Sequence, residues 1–98
     1  MAADPKPRRY KSEAALIRYH LDHPWCEVEG CRQWAMPTPH HLRPRSLGGS
    51  DVAENLLSLD WNHHIGPEGW HVLGPRTWYE RFRERLSPEN RAKIEARL

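Results

Sequence analysis

PHHLRPRSLGGSDVAENLLSLDWNHHIGPEGWH, residues 39–71, is the stretch on which the fold turns. Gly48-Gly49-Ser50-Asp51 is a turn signal, flanked by a short segment ending near Arg43 and by the apolar run Leu56, Leu57 and Leu59. Two strands joined by a long loop are the natural reading, with Asn55 opening the second strand. From Asp60 a helix should start, and Gly66, Pro67 and Gly69 cut it short within about two turns. Neighbouring residues on a strand face opposite ways, so His40 and His41 take different tasks, one binding metal while the other contacts water. His64, on the helix, approaches that pair if the strands fold back and the helix packs across them.

Working outward, Ser12 reads as a helix N-cap, with Glu13 in the first turn and Ala15, Leu16, Tyr19 and His20 at helical spacing. That helix runs to about His23, where Pro24 ends it. Cys26 and Cys31, with Gly30 between them, predict a tight knuckle rather than regular structure. A further helix is predicted from about Pro75, its aromatic face made by Trp78, Tyr79 and Phe82. Ser87-Pro88-Glu89 caps a last helix reaching Leu98. Residues 1–11 are Pro-rich and charged, without periodicity, and read as a mobile basic arm ahead of a single domain over 12–98. Most of the five tryptophans are assigned to the core, because each buries a large apolar area.

Ninety-eight residues support one core and one active site, and a core this small often needs a metal or a disulfide to hold it. The net charge of +2 permits a nucleic-acid partner without demanding one. Basic residues gather at Lys6, Arg8, Arg9 and Lys11, and again at Arg43 and Arg45, which are candidates for DNA phosphates or simply a solvated loop. No apolar run approaches the roughly 20 residues of a membrane span, and the N-terminus lacks a secretory signal, so the chain reads as cytoplasmic and without a membrane partner. Cysteines stay reduced in that compartment, which favours metal ligation or buried thiols over a disulfide for Cys26 and Cys31.

Phosphodiester hydrolysis needs a divalent ion to neutralise charge on the phosphate and leaving oxygen, and a base to deprotonate water. Imidazole suits the base role, since its unperturbed pKa of about 6.5 leaves it mostly neutral at pH 7. A side-chain amide such as that of Asn55 can fix the imidazole's tautomer through a hydrogen bond.

Read together, His40-His41, Gly48-Gly49, Asn55-Leu56 and His64 resemble, in that order, the HNH endonuclease motif of the ββα-metal (His-Me finger) fold. The likeness covers roughly residues 25–71. It implies a small α+β protein with an HNH core and flanking N- and C-terminal helices, and a metal-dependent DNA endonuclease similar to small phage and prophage HNH nucleases with a Cys-x4-Cys zinc knuckle. Carried over by position, His41 is the general base, Asn55 the orienting amide, and His40 and His64 ligands of the catalytic ion. That ion is expected to be Mg²⁺ or Mn²⁺, with Zn²⁺ or Ni²⁺ as alternatives.

The chain departs from the family in two places. Many members have a further His or Asn four residues after the last histidine, where this chain has Glu68 beyond a broken turn. His71 or Glu68 replaces it, or no protein group does; His71 is favoured because imidazole matches the other ligands. Many members also carry a second Cys pair, or a Cys and a His, before the last histidine, where this chain has Asp60 and His63. A structural Zn²⁺ held by Cys26, Cys31, His63 and Asp60 is thus implied, against the alternative of two buried thiols with Asp60 only capping the helix.

The resemblance implies DNA as partner and nicking or double-strand cleavage, the latter requiring a homodimer or two events, with a role in phage DNA packaging or processing. Two other readings compete with it. One is a non-catalytic zinc-binding DNA module. The other is an adaptor of a nuclease or packaging complex that uses residues 75–98 as its interface.

Overall fold

A computed structural model describes residues 9–98. Helix α1, Glu13–Asp22, starts at Ser12, whose hydroxyl accepts the amide of Ala15, and ends at His23 before Pro24. Strands β1, His40–His41, and β2, Leu56–Leu57, pair antiparallel with His40 opposite Leu57 and His41 opposite Leu56. Backbone bonds from Leu42 to Asn55 and from Met36 to Leu59 prolong the pairing on either side. Helix α2 is a single turn, Trp61–His64, capped by Asp60. It is followed by α3, Trp70–Leu73, α4, Pro75–Phe82, and α5, Pro88–Glu95, with Ser87 as the cap of α5. The chain is therefore a small α+β protein with a two-stranded antiparallel sheet and several helices. No helix among the described residues is long and apolar enough to cross a membrane.

The long loop between the strands returns on itself because of Gly49. A Cβ there would lie 1.8 Å from the carbonyl oxygen of Arg43, so only glycine allows the two backbones to meet. Asn55 secures the same loop by accepting the amide of Arg43 and donating to the carbonyls of Arg43 and Ser50. It closes a 3₁₀ turn, Ala53–Asn55, rather than opening β2.

The core forms where α4 crosses the sheet and the knuckle. Trp78, Tyr79, Phe82, Leu86 and Ile94 are buried with Val28, Leu42, Leu57, Leu59, Trp70 and Cys26. The apolar side chains Trp78, Tyr79, Phe82, Leu86 and Ile94 of residues 75–98 thus pack internally. Glu27 ties the layers together. Its carboxylate accepts the Tyr19 hydroxyl at 2.6 Å, the Ser58 amide at 2.7 Å and the Asn90 side chain at 3.2 Å, joining α1, the knuckle, the sheet and α5. The carboxylate is part-buried, and its three partners come from separate segments, so it holds them together.

Three expectations need correction. Only Trp70 and Trp78 are buried; Trp25, Trp34 and Trp61 are 47, 65 and 58% exposed, because the α4 aromatics already fill the small core. Trp25 and Trp34 instead stack on each other across the base of the knuckle, ring centroids 3.8 Å apart. The last helix stops at Glu95, short of Leu98. Of the expected mobile arm, residues 1–8 lie outside the described residues, whereas Arg9 and Tyr10 are docked on the loop at Gly49, Ser50 and Asp51.

Candidate metal centres

Two adjacent histidines on α2 serve two separate clusters. His63 is buried and turns toward the knuckle, where Cys26, Cys31, Asp60 and His63 each place a ligand atom within 4.8 Å of all the others. His64 turns to the opposite side, where His40, His64 and His71 meet the same criterion. The one-turn helix is fixed between them: the indole nitrogen of Trp78 donates to the His63 carbonyl at 3.0 Å, and the Phe82 ring packs edge-on against the His63 imidazole. Asp60 caps the helix and also stands in the donor group of the knuckle. Its Oδ1 caps α2 at the His63 amide, 3.0 Å away, and also accepts from Nδ1 of the His63 ring at 2.7 Å.

The donors of the knuckle suit a borderline ion: two sulfurs, an imidazole and a carboxylate make the four partners of a tetrahedral site. Burial pushes the Cys26 thiol up to about 12. An ion bound there must displace that proton, so acid competes with the metal. Affinity for Zn²⁺ at the knuckle should rise by about tenfold per pH unit for each thiol proton released between pH 6 and 8. Competition against a chelating indicator at pH 6, 7 and 8 measures this, and a flat profile would exclude Cys26 as a ligand.

His71 reaches the other cluster because the chain between α2 and α3 folds back tightly. A Cβ on Gly69 would lie 2.6 Å from the His64 carbonyl oxygen, so glycine is what permits this closeness. Glu68, the other candidate third ligand, is turned away and pairs with Asn62. His71 Nε2 lies 3.2 Å from His64 Nε2, close to the roughly 3.3 Å between two ligands on a tetrahedral ion with metal–nitrogen bonds near 2.05 Å. His64 Nδ1 faces the sulfur of Met36 at 3.1 Å, leaving Nε2 for the cluster. His40 is 3% exposed, and its Nε2 is a buried nitrogen with no hydrogen-bond partner. Burial, reinforced by His64, His71 and His41, pushes the His40 ring down to about 2, so it is neutral near pH 7 and its lone pair is free. Such an orphaned nitrogen is costly unless something binds it, and a cation at the meeting point of the three rings would do so. Both clusters therefore fit metal ions.

An open cavity of about 580 Å³ adjoins the three histidines, with Thr38, His41, Arg45 and Trp70 in its wall. His41 leaves β1 on the other face from His40, and its Nε2 donates to Asp51 Oδ1 at 2.7 Å. Burial alone would raise the Asp51 carboxyl, but hydrogen bonds from His41 and the Ser12 amide, with the Arg9 guanidinium, hold it below the usual range. Arg45 Nε stands 3.5 Å from the same His41 nitrogen. Arg43 is not in this wall. Its guanidinium bonds the Leu47 carbonyl, and it borders a separate hollow with Arg97.

No family model, curated protein or solved structure matches this chain. The chemistry of the site is read from its own groups. Three imidazoles converge on one point, a fourth histidine is held by a carboxylate beside them, and an arginine borders the cavity they share. Asn55 does not orient that fourth ring, since its amide is occupied by the backbone of residues 43 and 50 and its oxygen also faces Arg97. Asp51 occupies that place. The clue in the sequence is a carboxylate at the end of the Gly-Gly turn, ten residues after His41, in a loop that antiparallel pairing forces back toward β1.

Proposed function

We propose that the chain is a metal-dependent DNA endonuclease of the HNH type on a ββα-metal core, with a structural Zn²⁺ at Cys26, Cys31, Asp60 and His63. The observation that carries this reading is the buried His40, its Nε2 unpartnered and its ring grouped with those of His64 and His71, one strand position from a histidine that lines the same open cavity. His40, His64 and His71 would hold the catalytic ion. An all-imidazole donor set suits Zn²⁺ or Ni²⁺ better than Mg²⁺, which prefers oxygen ligands. When bound, the ion neutralises charge on the scissile phosphate and the leaving oxygen.

The remaining steps belong to side chains. His41 takes the proton of the attacking water on the ring nitrogen that Asp51 leaves free. Arg45 receives a phosphate oxygen of the DNA backbone at the cavity edge. Arg43, on another face, is suited to a phosphate farther along the duplex. Trp70 packs its ring against His40, centroids 4.7 Å apart, and keeps water from the back of the triad.

Incubating supercoiled plasmid with the protein and Mn²⁺, Ni²⁺, Zn²⁺ or Mg²⁺ tests the reading, and conversion to open circles is the expected result. Binding of metal and DNA without nicking under any of the four ions would make the chain a non-catalytic zinc-binding DNA module.

A further inference from the structure

We infer that Asp51 is the positioning residue of the base, holding His41 through Nε2 so that Nδ1 carries the lone pair, and that the segment before α1 is built into the site to hold Asp51. The inference rests on the nuclease reading for its consequence, but on geometry for its substance. An ionised carboxylate only accepts, so the 2.7 Å contact with Asp51 Oδ1 places the ring proton on Nε2 of His41. A neutral imidazole has one donor and one acceptor nitrogen, which leaves Nδ1 to receive a proton.

Asp51 is itself fixed from several sides. Oδ2 accepts the amide of Ser12 at 2.9 Å, and Oδ1 also accepts from the Arg9 guanidinium. Arg9 Nε donates to the Gly49 carbonyl at 2.6 Å, the Asp51 amide donates to the Tyr10 carbonyl at 2.8 Å, and the Tyr10 amide donates to the Ser50 hydroxyl at 2.9 Å. Residues 9–12 thus lie along the Gly-Gly-Ser-Asp turn as a brace, and Asp51 is only 4% exposed. Purely structural pairing would be satisfied by Arg9 and Ser12 alone. Here the same carboxylate also reaches a histidine in the wall of the cavity. A carboxylate in this place does what an amide does for the tautomer, and in addition stabilises the imidazolium that forms when His41 takes a proton.

The test uses the full chain loaded with Zn²⁺. Long-range ¹H–¹⁵N spectra of the histidine rings should show His41 as the Nε2–H tautomer in the wild type and a mixture in Asp51→Ala. In Mn²⁺-dependent nicking, Asp51→Ala should lower kcat by about 10- to 100-fold with KM changed less than about twofold. If Asp51→Ala does not fold, Asp51→Asn decides: it keeps an acceptor but loses the charge, and kcat should fall by about tenfold with the Nε2–H tautomer retained. An Nδ1–H tautomer in the wild type, an unchanged tautomer in Asp51→Ala, or wild-type kcat in Asp51→Asn would overturn the inference. Absence of cleavage by the wild type would overturn the nuclease reading instead, and the tautomer spectra would still decide the role of Asp51.

Discussion

His41→Ala should lose plasmid nicking by about 10²- to 10⁴-fold, the range that a positioned proton acceptor contributes, while keeping both metal equivalents and its affinity for DNA. The separation follows from the grouping of the donors. His41 lines the same cavity as the three-histidine cluster but belongs to neither donor group, so its removal should leave both intact. His40→Ala should behave differently: it takes away the buried nitrogen at the back of the triad, and one metal equivalent should go with it. Nicking rates in Mn²⁺, gel-shift affinities and elemental analysis of the two variants make the comparison. His41→Ala retaining more than about a tenth of the wild-type rate would mean that another group takes the proton.

Removing the knuckle metal should have the largest effect on stability. Apparent binding energies of structural zinc sites in small peptides are about 10–16 kcal/mol, comparable to the whole stability of a domain, about 5–15 kcal/mol. Cys26 is part of the core, and the knuckle it belongs to is joined by a backbone bond from Glu29 to Arg85, in the 3₁₀ turn that follows α4. Loss of the ion therefore affects more than a surface loop. Both a strong chelator and the substitution Cys26→Ala should abolish the cooperative thermal transition or lower its midpoint by tens of degrees, with Cys26→Ala binding one metal equivalent fewer. Circular dichroism melts with metal analysis check this, and a chelated protein melting like the untreated one would show that the core and the Glu27 network suffice.

The parts of this structure that the sequence made legible are those set by neighbouring residues. Ser12, Asp60 and Ser87 cap helices because each places a short polar side chain just before a helical run, and the caps form as that pattern predicts. The Gly-Gly turn and the antiparallel pairing around it follow from local backbone freedom. The donor groups were also readable by residue type, and the fold gathers Cys26, Cys31, Asp60 and His63 on one side and His40, His64 and His71 on the other.

What could not be read depends on distant parts of the chain. Asn55 has the right chemistry to orient a ring, but the loop's own backbone claims its amide first. Asp51 gains its role only because residues 9–12 and β1 converge on it. The tryptophans were misjudged because burial is decided by available volume: once Trp70, Trp78 and Phe82 occupy the core of so short a chain, Trp25, Trp34 and Trp61 have nowhere to go but the surface.

Helix α2 has only four residues, and consecutive members of it look into different metal centres. A lever that short cannot turn at one end and stay still at the other. An ion among the sulfurs would act on the pitch at which His64 is presented to its two partner rings, and an ion among those rings would act on His63 in turn. Any difference that one occupancy makes to the other would be reciprocal, the same factor in both directions. A centre that performs no chemistry would then set how readily the reactive one fills.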